Sequence, residues 1–270
     1  MSFNALLEKS WKRSKSLVCV GLDTDLEKIP ASFKKENNSI FAFNKAIIDS
    51  TVEQVCAYKI NIAFYSAIAA ELELEKTIAY IHKNYSDVVV ILDSKRGDIG
   101  NTAEQYAKEA YSRYQADACT INPFMGTDSI EPFLKYKDKG AILLCRTSNA
   151  GGKDLQEFSS NSKPLYKHIA ELAATKWNYN QNVSLVVGAT YPKELKEVRT
   201  IVGNDIPLLV PGVGSQGGEI SEVIANGKNA KGLGLVINVS RSVIYASSKD
   251  DFAIAAKNEV LRLNKEVGLS

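Results

Sequence analysis

The chain has 270 residues, 45% of them apolar, which allows a sizeable core in one large domain or two small ones. Its 33 basic and 31 acidic residues are interspersed and leave a formal net charge of +2, so there is no electrostatic case for binding nucleic acid or an anionic membrane surface. The opening "MSFNALLEKSWKRSK" lacks the long apolar stretch of a secretory signal, and no run approaches the roughly 18 apolar residues of a membrane span. A cytoplasmic protein is expected.

Short apolar runs recur along the chain with helix-like segments between them. The first, "SLVCVGLD" (16–23), runs into the long loop "TDLEKIPASFKKENNS", and "IFAFNKAIIDSTVEQ" then carries apolar residues at helical spacing. "VCAYKINI" (55–62) and "VVVILD" (88–93) follow, then the helical pattern "TAEQYAKEAYSRY". "DACTIN" (117–122) and "AILLCR" (141–146) lead to a second long loop, "SNAGGKDLQEFSSNSKP", whose Gly, Ser and Asn content suits a mobile lid. "VSLVVGA" (183–189), "PLLVPGVG" (207–214) and "GLVINVS" (234–240) complete a set of eight. These runs are rich in Val, Ile and Leu and mostly lack polar alternation, as strands buried on both faces do.

Strands alternating with helices imply a parallel sheet, and eight repeats in this length predict a single (β/α)8 barrel domain over 1–270. A dinucleotide-binding open sheet would want G-x-G-x-x-G after the first strand, which instead ends in "GLDTDLEKIP". The cysteines, Cys19, Cys56, Cys119 and Cys145, sit in strand-like runs at spacings of 37, 63 and 26 residues that match no zinc motif, and are expected as buried free thiols. With only His82 and His168 available, a histidine metal site or a Ser-His-Asp triad is hard to build. No metal ligands are predicted.

Barrel enzymes keep their chemistry at the C-terminal ends of the strands. There the sequence offers Asp23 after strand 1, Lys59 on strand 2, and Asp93 and Lys95 on strand 3, with Asp98 just beyond. It adds Asn122 after strand 4, and Arg146, Thr147 and Ser148 after strand 5. Asp93 and Lys95 are two apart, so strand alternation alone would put them on one face, within reach of Lys59. An alternating set of Lys59, Asp93, Lys95 and Asp98 would be charge-balanced, leave no lone buried ion, and fix one lysine as a cationic proton donor. After strand 7, "VPGVGSQGGE" brings backbone N–H groups close enough for an anion, and Arg241 after strand 8 can fork onto phosphate. Those are the two strands whose loops frequently bind phosphate in barrels.

"LDSKRGDIGNT" resembles the D-x-K-x-x-D-I-x-x-T signature of the orotidine 5′-phosphate decarboxylase family, in particular its bacterial group with "KRGDIGxTA". "AYKIN", "RTSNAG", "PGVGSQGG" and "SRSVIYA" fall in that family's order and spacing, so the resemblance covers the whole chain. It implies conversion of orotidine 5′-phosphate to UMP and CO2 in de novo pyrimidine synthesis, with no metal or organic cofactor, by a homodimer with sites at its interface. Carried over residue by residue, Lys95 is the proton donor to C6, Asp93 faces the substrate carboxylate, and Lys59 completes the charge network. Asp98, with Ile99 and Thr102, is implied to cross from the partner subunit. Asp23 is implied to bind ribose hydroxyls and Ser148 to read the pyrimidine edge. Gln216 and Arg241 are implied to hold the phosphate, with Gly212, Gly214 and Ser240 shaping those loops. Two residues depart from the pattern: Ala150 stands where the family often has proline, and Ser240 where other groups commonly have glycine.

Two other readings compete. A related sugar-phosphate barrel enzyme, such as 3-keto-L-gulonate 6-phosphate decarboxylase or a Schiff-base aldolase, would be separated by EDTA sensitivity or by borohydride trapping. A non-catalytic nucleotide sensor on the same scaffold would bind UMP without turnover.

Overall fold

The computed structural model describes residues 1–34, 38–214 and 217–269. Eight parallel strands close into a barrel in chain order: β1 (Val18–Gly21), β2 (Ala57–Asn61), β3 (Val89–Arg96), β4 (Ala118–Ile121), β5 (Gly140–Arg146), β6 (Val183–Val187), β7 (Leu208–Pro211) and β8 (Leu235–Val239), which pairs back onto β1. Nearly every strand residue is buried, which is why these runs read as continuous Val, Ile and Leu rather than as alternation. The expected barrel is thus the observed one. No helix among the described residues is long and apolar enough to cross a membrane.

Helices such as Ser39–Thr51, Glu71–Asn84, Pro192–Val202 and Phe252–Val267 form the outer ring and turn their apolar stripe inward. The N-terminal helix Phe3–Ser14 plugs the opposite end of the barrel from the strand C-termini. Phe3 lies so close to Gly140 that an added Cβ there would sit 2.6 Å from its ring. Ser10 donates to the Cys56 carbonyl at 2.6 Å, Trp11 to Leu235 at 2.9 Å, and Arg13 to Val52 and Val55. These bonds tie the helix to carbonyls at and just before strand starts and help satisfy them. At the same end Arg199, buried and without a carboxylate partner among the described residues, donates to the carbonyls of Gly203, Ile206, Gly227 and Gly234, stapling the turns that enter β7 and β8. The N-terminal helix and Arg199 thus close over the strand starts, at the end of the barrel opposite the strand C-termini.

Both long loops leave from the strand C-termini. Residues 148–164 are folded rather than extended: a 3-10 turn Ala150–Gly152, a helical turn Lys153–Gln156, and a small hairpin of Ser159–Ser160 with Lys163–Pro164. All four cysteines are buried free thiols, as their strand positions implied.

Candidate active site

Strand ends converge on a cavity of about 510 Å3 at the barrel mouth. Its charged floor is a chain of four side chains. Lys59 Nζ lies 3.3 Å from Asp23 Oδ1 and 3.0 Å from Asp93 Oδ2, and Lys95 Nζ lies 2.6 Å from Asp93 Oδ1. The barrel explains the convergence: Gly21 pairs with Lys59 across β1 and β2, and Asn61 pairs with Asp93 across β2 and β3. Asp93 and Lys59 are nearly buried, at 9% and 5% side-chain exposure, whereas Lys95, at 49%, reaches into the open cavity.

The charges support one another. Burial alone would push the Asp93 carboxyl up, but Lys59, Lys95 and a hydrogen bond from Thr120 outweigh it and hold Asp93 well below the usual carboxylate range. Burial alone would lower Lys59, but Asp93 and Asp23 outweigh it and hold its ammonium above the usual lysine range. Each buried ion is therefore kept charged by its neighbours.

Asp93 and Lys95 meet for a different reason than strand alternation. The β3–β4 register slips between Leu92, opposite Cys119, and Arg96, opposite Ile121. The intervening residues bulge, and Lys95 takes a positive φ of 47°, a left-handed conformation uncommon for a lysine. The bulge turns its side chain back over Asp93.

Asp98 stands outside this network within one chain. Its carboxylate accepts from the Ile99 N–H at 2.8 Å, and it makes no ion pair among the described residues. Asp23 takes the fourth place in the charge-balanced set instead. Ile99 and Thr102 are exposed beside Asp98. Asn122 is used structurally, its side chain accepting from the Phe124 N–H to cap the turn Pro123–Met125.

Ser148 lines the same cavity, held from below and behind. Its backbone rests on Gly188, where a Cβ would come within 2.6 Å of the Ser148 Cα, and its carbonyl accepts from Thr190 Oγ1 at 3.0 Å. The lid segment is latched beside it. Fully buried Arg146 donates to Glu157 at 2.6 Å and to Gln156 at 3.3 Å, and lies 3.5 Å from the centre of the Tyr191 ring. Gln156 also accepts from the Thr147 N–H at 2.8 Å. Ala150 opens the 3-10 turn, a position where proline is well tolerated.

A second cavity of about 300 Å3 shares Asp23, Pro211 and Asn238 with the first and extends to Gly212, Ser240 and Arg241. The two form one trough, charged pairs at one end and an arginine beside a glycine loop at the other, with Asp23 between. Gly212 and Gly214 have φ of 98° and 71°, which favours glycine at both. The Ser240 hydroxyl is turned away to donate to the Gly21 carbonyl at 2.9 Å, knitting β8 to β1. Tyr245 ties the loops after β1 and β8 together through the Asp25 N–H at 2.7 Å. Gln216 lies outside the described residues.

Asn238 is legible in the sequence as a polar residue at the end of strand 8, whereas Thr120, Asn61 and Gln156 were passed over; all four line the first cavity. Thr120 sits inside an apolar strand run, where threonine reads as strand propensity. Asn61 follows Lys59 at the spacing of a shared strand face and was the one with a signal.

Fold and trough together define a (β/α)8-barrel enzyme with a carboxylate–ammonium site at its mouth. The orotidine 5′-phosphate decarboxylase / HUMPS family model matches residues 16–256. The chain is 53% identical over 272 residues to the orotidine 5′-phosphate decarboxylase of Cellvibrio japonicus, covering 100% of this chain and 99% of that one. It is 52% identical to the enzyme of the same name from Ralstonia nicotianae, covering 95% and 94%. Among solved structures, the OMP decarboxylase of Leishmania donovani superposes with a TM-score of 0.85 at 38% identity, covering 99% of both chains. The chain belongs to the orotidine 5′-phosphate decarboxylase / HUMPS family.

Proposed function

We propose that the chain, a single barrel domain over its whole length, converts orotidine 5′-phosphate to UMP and CO2 without a metal, with Lys95 as the proton donor. The observation that carries this reading is the two-ended trough: a carboxylate held ionised beside a cavity-facing ammonium at one end, an arginine and glycine loop at the other, and Asp23 between. A nucleotide with a carboxylated ring and a 5′-phosphate has the same order of groups, with ribose in the middle.

Asp93 and the substrate carboxylate would face each other as like charges, and that repulsion falls when the C6–CO2 bond breaks. The electron pair left on C6 is stabilised by the Lys95 ammonium, an attraction that grows only as charge develops. Lys95 then transfers its proton to C6. Lys59 and Lys95 supply the cationic charge that a metal would otherwise bring. Lys59 also reaches the ribose beside Asp23, Ser148 reads the pyrimidine edge, and Arg241 and Gln216 bind the phosphate around Gly212, Gly214 and Ser240.

The working unit is a homodimer in a reducing cytoplasm, consistent with four free thiols. Exposed apolar side chains gather on the consecutive loops after β2, β3 and β4: Phe64 at 41%, Ile99 at 50%, Phe124 at 74%. A self-complementary face there would cover them and bring Asp98, Ile99 and Thr102 to the partner's site.

Loss of the ultraviolet orotate band on incubating orotidine 5′-phosphate with the protein in excess EDTA, with UMP as product, is the expected result. Turnover only with added Mg2+, or UMP binding without turnover, would overturn the reading.

A further inference from the structure

We propose that Thr120 is a positioning residue for Lys95, its hydroxyl locking the β3 bulge that aims the ammonium into the cavity. The inference rests on the reading in which Lys95 donates the proton. Between the pairs Leu92–Cys119 and Arg96–Ile121, three residues of β3 stand opposite Thr120 alone. A regular ladder would place one residue there, so the extra chain must be folded away, and it is folded at Lys95, whose φ is positive. A conformation that side chains rarely adopt persists only where the surroundings fix it.

Thr120 does the fixing through one atom. Its Oγ1 accepts from the Lys95 N–H at 3.0 Å and donates to Asp93 Oδ1 at 2.7 Å. That same carboxylate oxygen holds Lys95 Nζ at 2.6 Å. Ser94 adds a bond to the Thr120 carbonyl at 3.3 Å. The backbone of Lys95 and the partner of its ammonium therefore hang from a single hydroxyl. The rest of β4, Ala118, Cys119 and Ile121, is apolar, and Thr120 is 1% exposed. If the position served packing alone, valine would serve as well. Without the hydroxyl the Lys95 N–H loses its acceptor, the bulge can relax, and the ammonium moves off C6. Substrate binding at the ribose and phosphate subsites would be untouched.

The test compares wild type, Thr120→Val and Thr120→Ser in steady-state decarboxylation of orotidine 5′-phosphate, with UMP affinity measured by calorimetry. Thr120→Val should lower kcat by about 10- to 100-fold, as displacement of a reacting group by about 1 Å does. KM and UMP affinity should stay close to wild type, and Thr120→Ser should restore most of the rate. If Thr120→Val does not fold, Thr120→Ala gives the same comparison without crowding the strand. A Thr120→Val kcat equal to wild type would overturn the proposal. So would a Thr120→Ser variant as slow as the valine, or UMP affinity falling in step with kcat. An inactive wild type would instead remove the reaction itself, and this inference with it.

Discussion

At the scale of single residues, the site depends on charges that hold one another ionised. Asp93 is kept below the usual carboxylate range, so the stability its ionisation contributes is fully present above the unfolded value near 4 and is lost as pH falls through the depressed folded value. Lys59 is kept above the usual lysine range, so its contribution is present below an unfolded value of about 10.4 and is lost as pH rises through the raised folded value. Asp93→Asn should therefore be less stable than wild type by an amount that is flat between about pH 5 and 9 and narrows below about pH 4. Melting temperatures across that range check it, and a gap that changed near neutrality would contradict the assignment. The residues of this network were legible because Asp and Lys at the ends of apolar strands have few other uses. The way Asp93 and Lys95 meet was not. Strand alternation and a bulge both bring residues two apart together, and only the register between β3 and β4 separates them. Thr120 stayed hidden because threonine is at home in a buried strand.

At the scale of elements, strands and outer helices follow from periodicity and burial, whereas the packing of loops against strand ends does not. The latch from Arg146 to Gln156 and Glu157 joins residues 10 and 11 apart through a folded segment, and no pattern in the sequence marks which loop carboxylate an arginine will choose. Asn149 has φ −77° and ψ 146°, the backbone favoured before proline, and Ala150 begins a 3-10 turn. Ala150→Pro should thus stabilise the chain by about 0.4–1 kcal/mol, mostly by restricting the unfolded state, without loss of activity. Urea unfolding measures this, and a lower midpoint would show that the lid follows a path proline cannot take. Arg199 lies at the opposite end of the barrel. The carbonyls of Gly203, Ile206 and Gly227 would lose their Arg199 donor in Arg199→Met, while Gly234 keeps the Leu208 N–H, at a cost of about 3 kcal/mol or more, since each buried unsatisfied group costs roughly 1–3. The kcat of the folded fraction should be unchanged, because none of those turns touches the trough.

At the scale of the whole molecule, the barrel was readable from eight runs in order, and the trough's far end from glycines after β7 and an arginine after β8. What one chain leaves incomplete is the place of Asp98, whose carboxylate accepts from the Ile99 N–H and makes no ion pair with the Asp23–Lys59–Asp93–Lys95 set among the described residues. If it acts across a dimer interface, mixing inactive Lys95→Ala with inactive Asp98→Ala protomers should regenerate some active sites. No recovery after verified subunit exchange would count against that arrangement. The central claim is that Lys95 replaces the departing carboxylate with a proton. The most direct measurement follows the orotate absorbance of orotidine 5′-phosphate in excess EDTA with wild type and folded Lys95→Ala side by side. Loss of the band with wild type, and essentially none with Lys95→Ala that still binds UMP, is the predicted result. A Lys95→Ala rate within about a hundredfold of wild type, the low end of what a positioned proton-transfer group contributes, would contradict it.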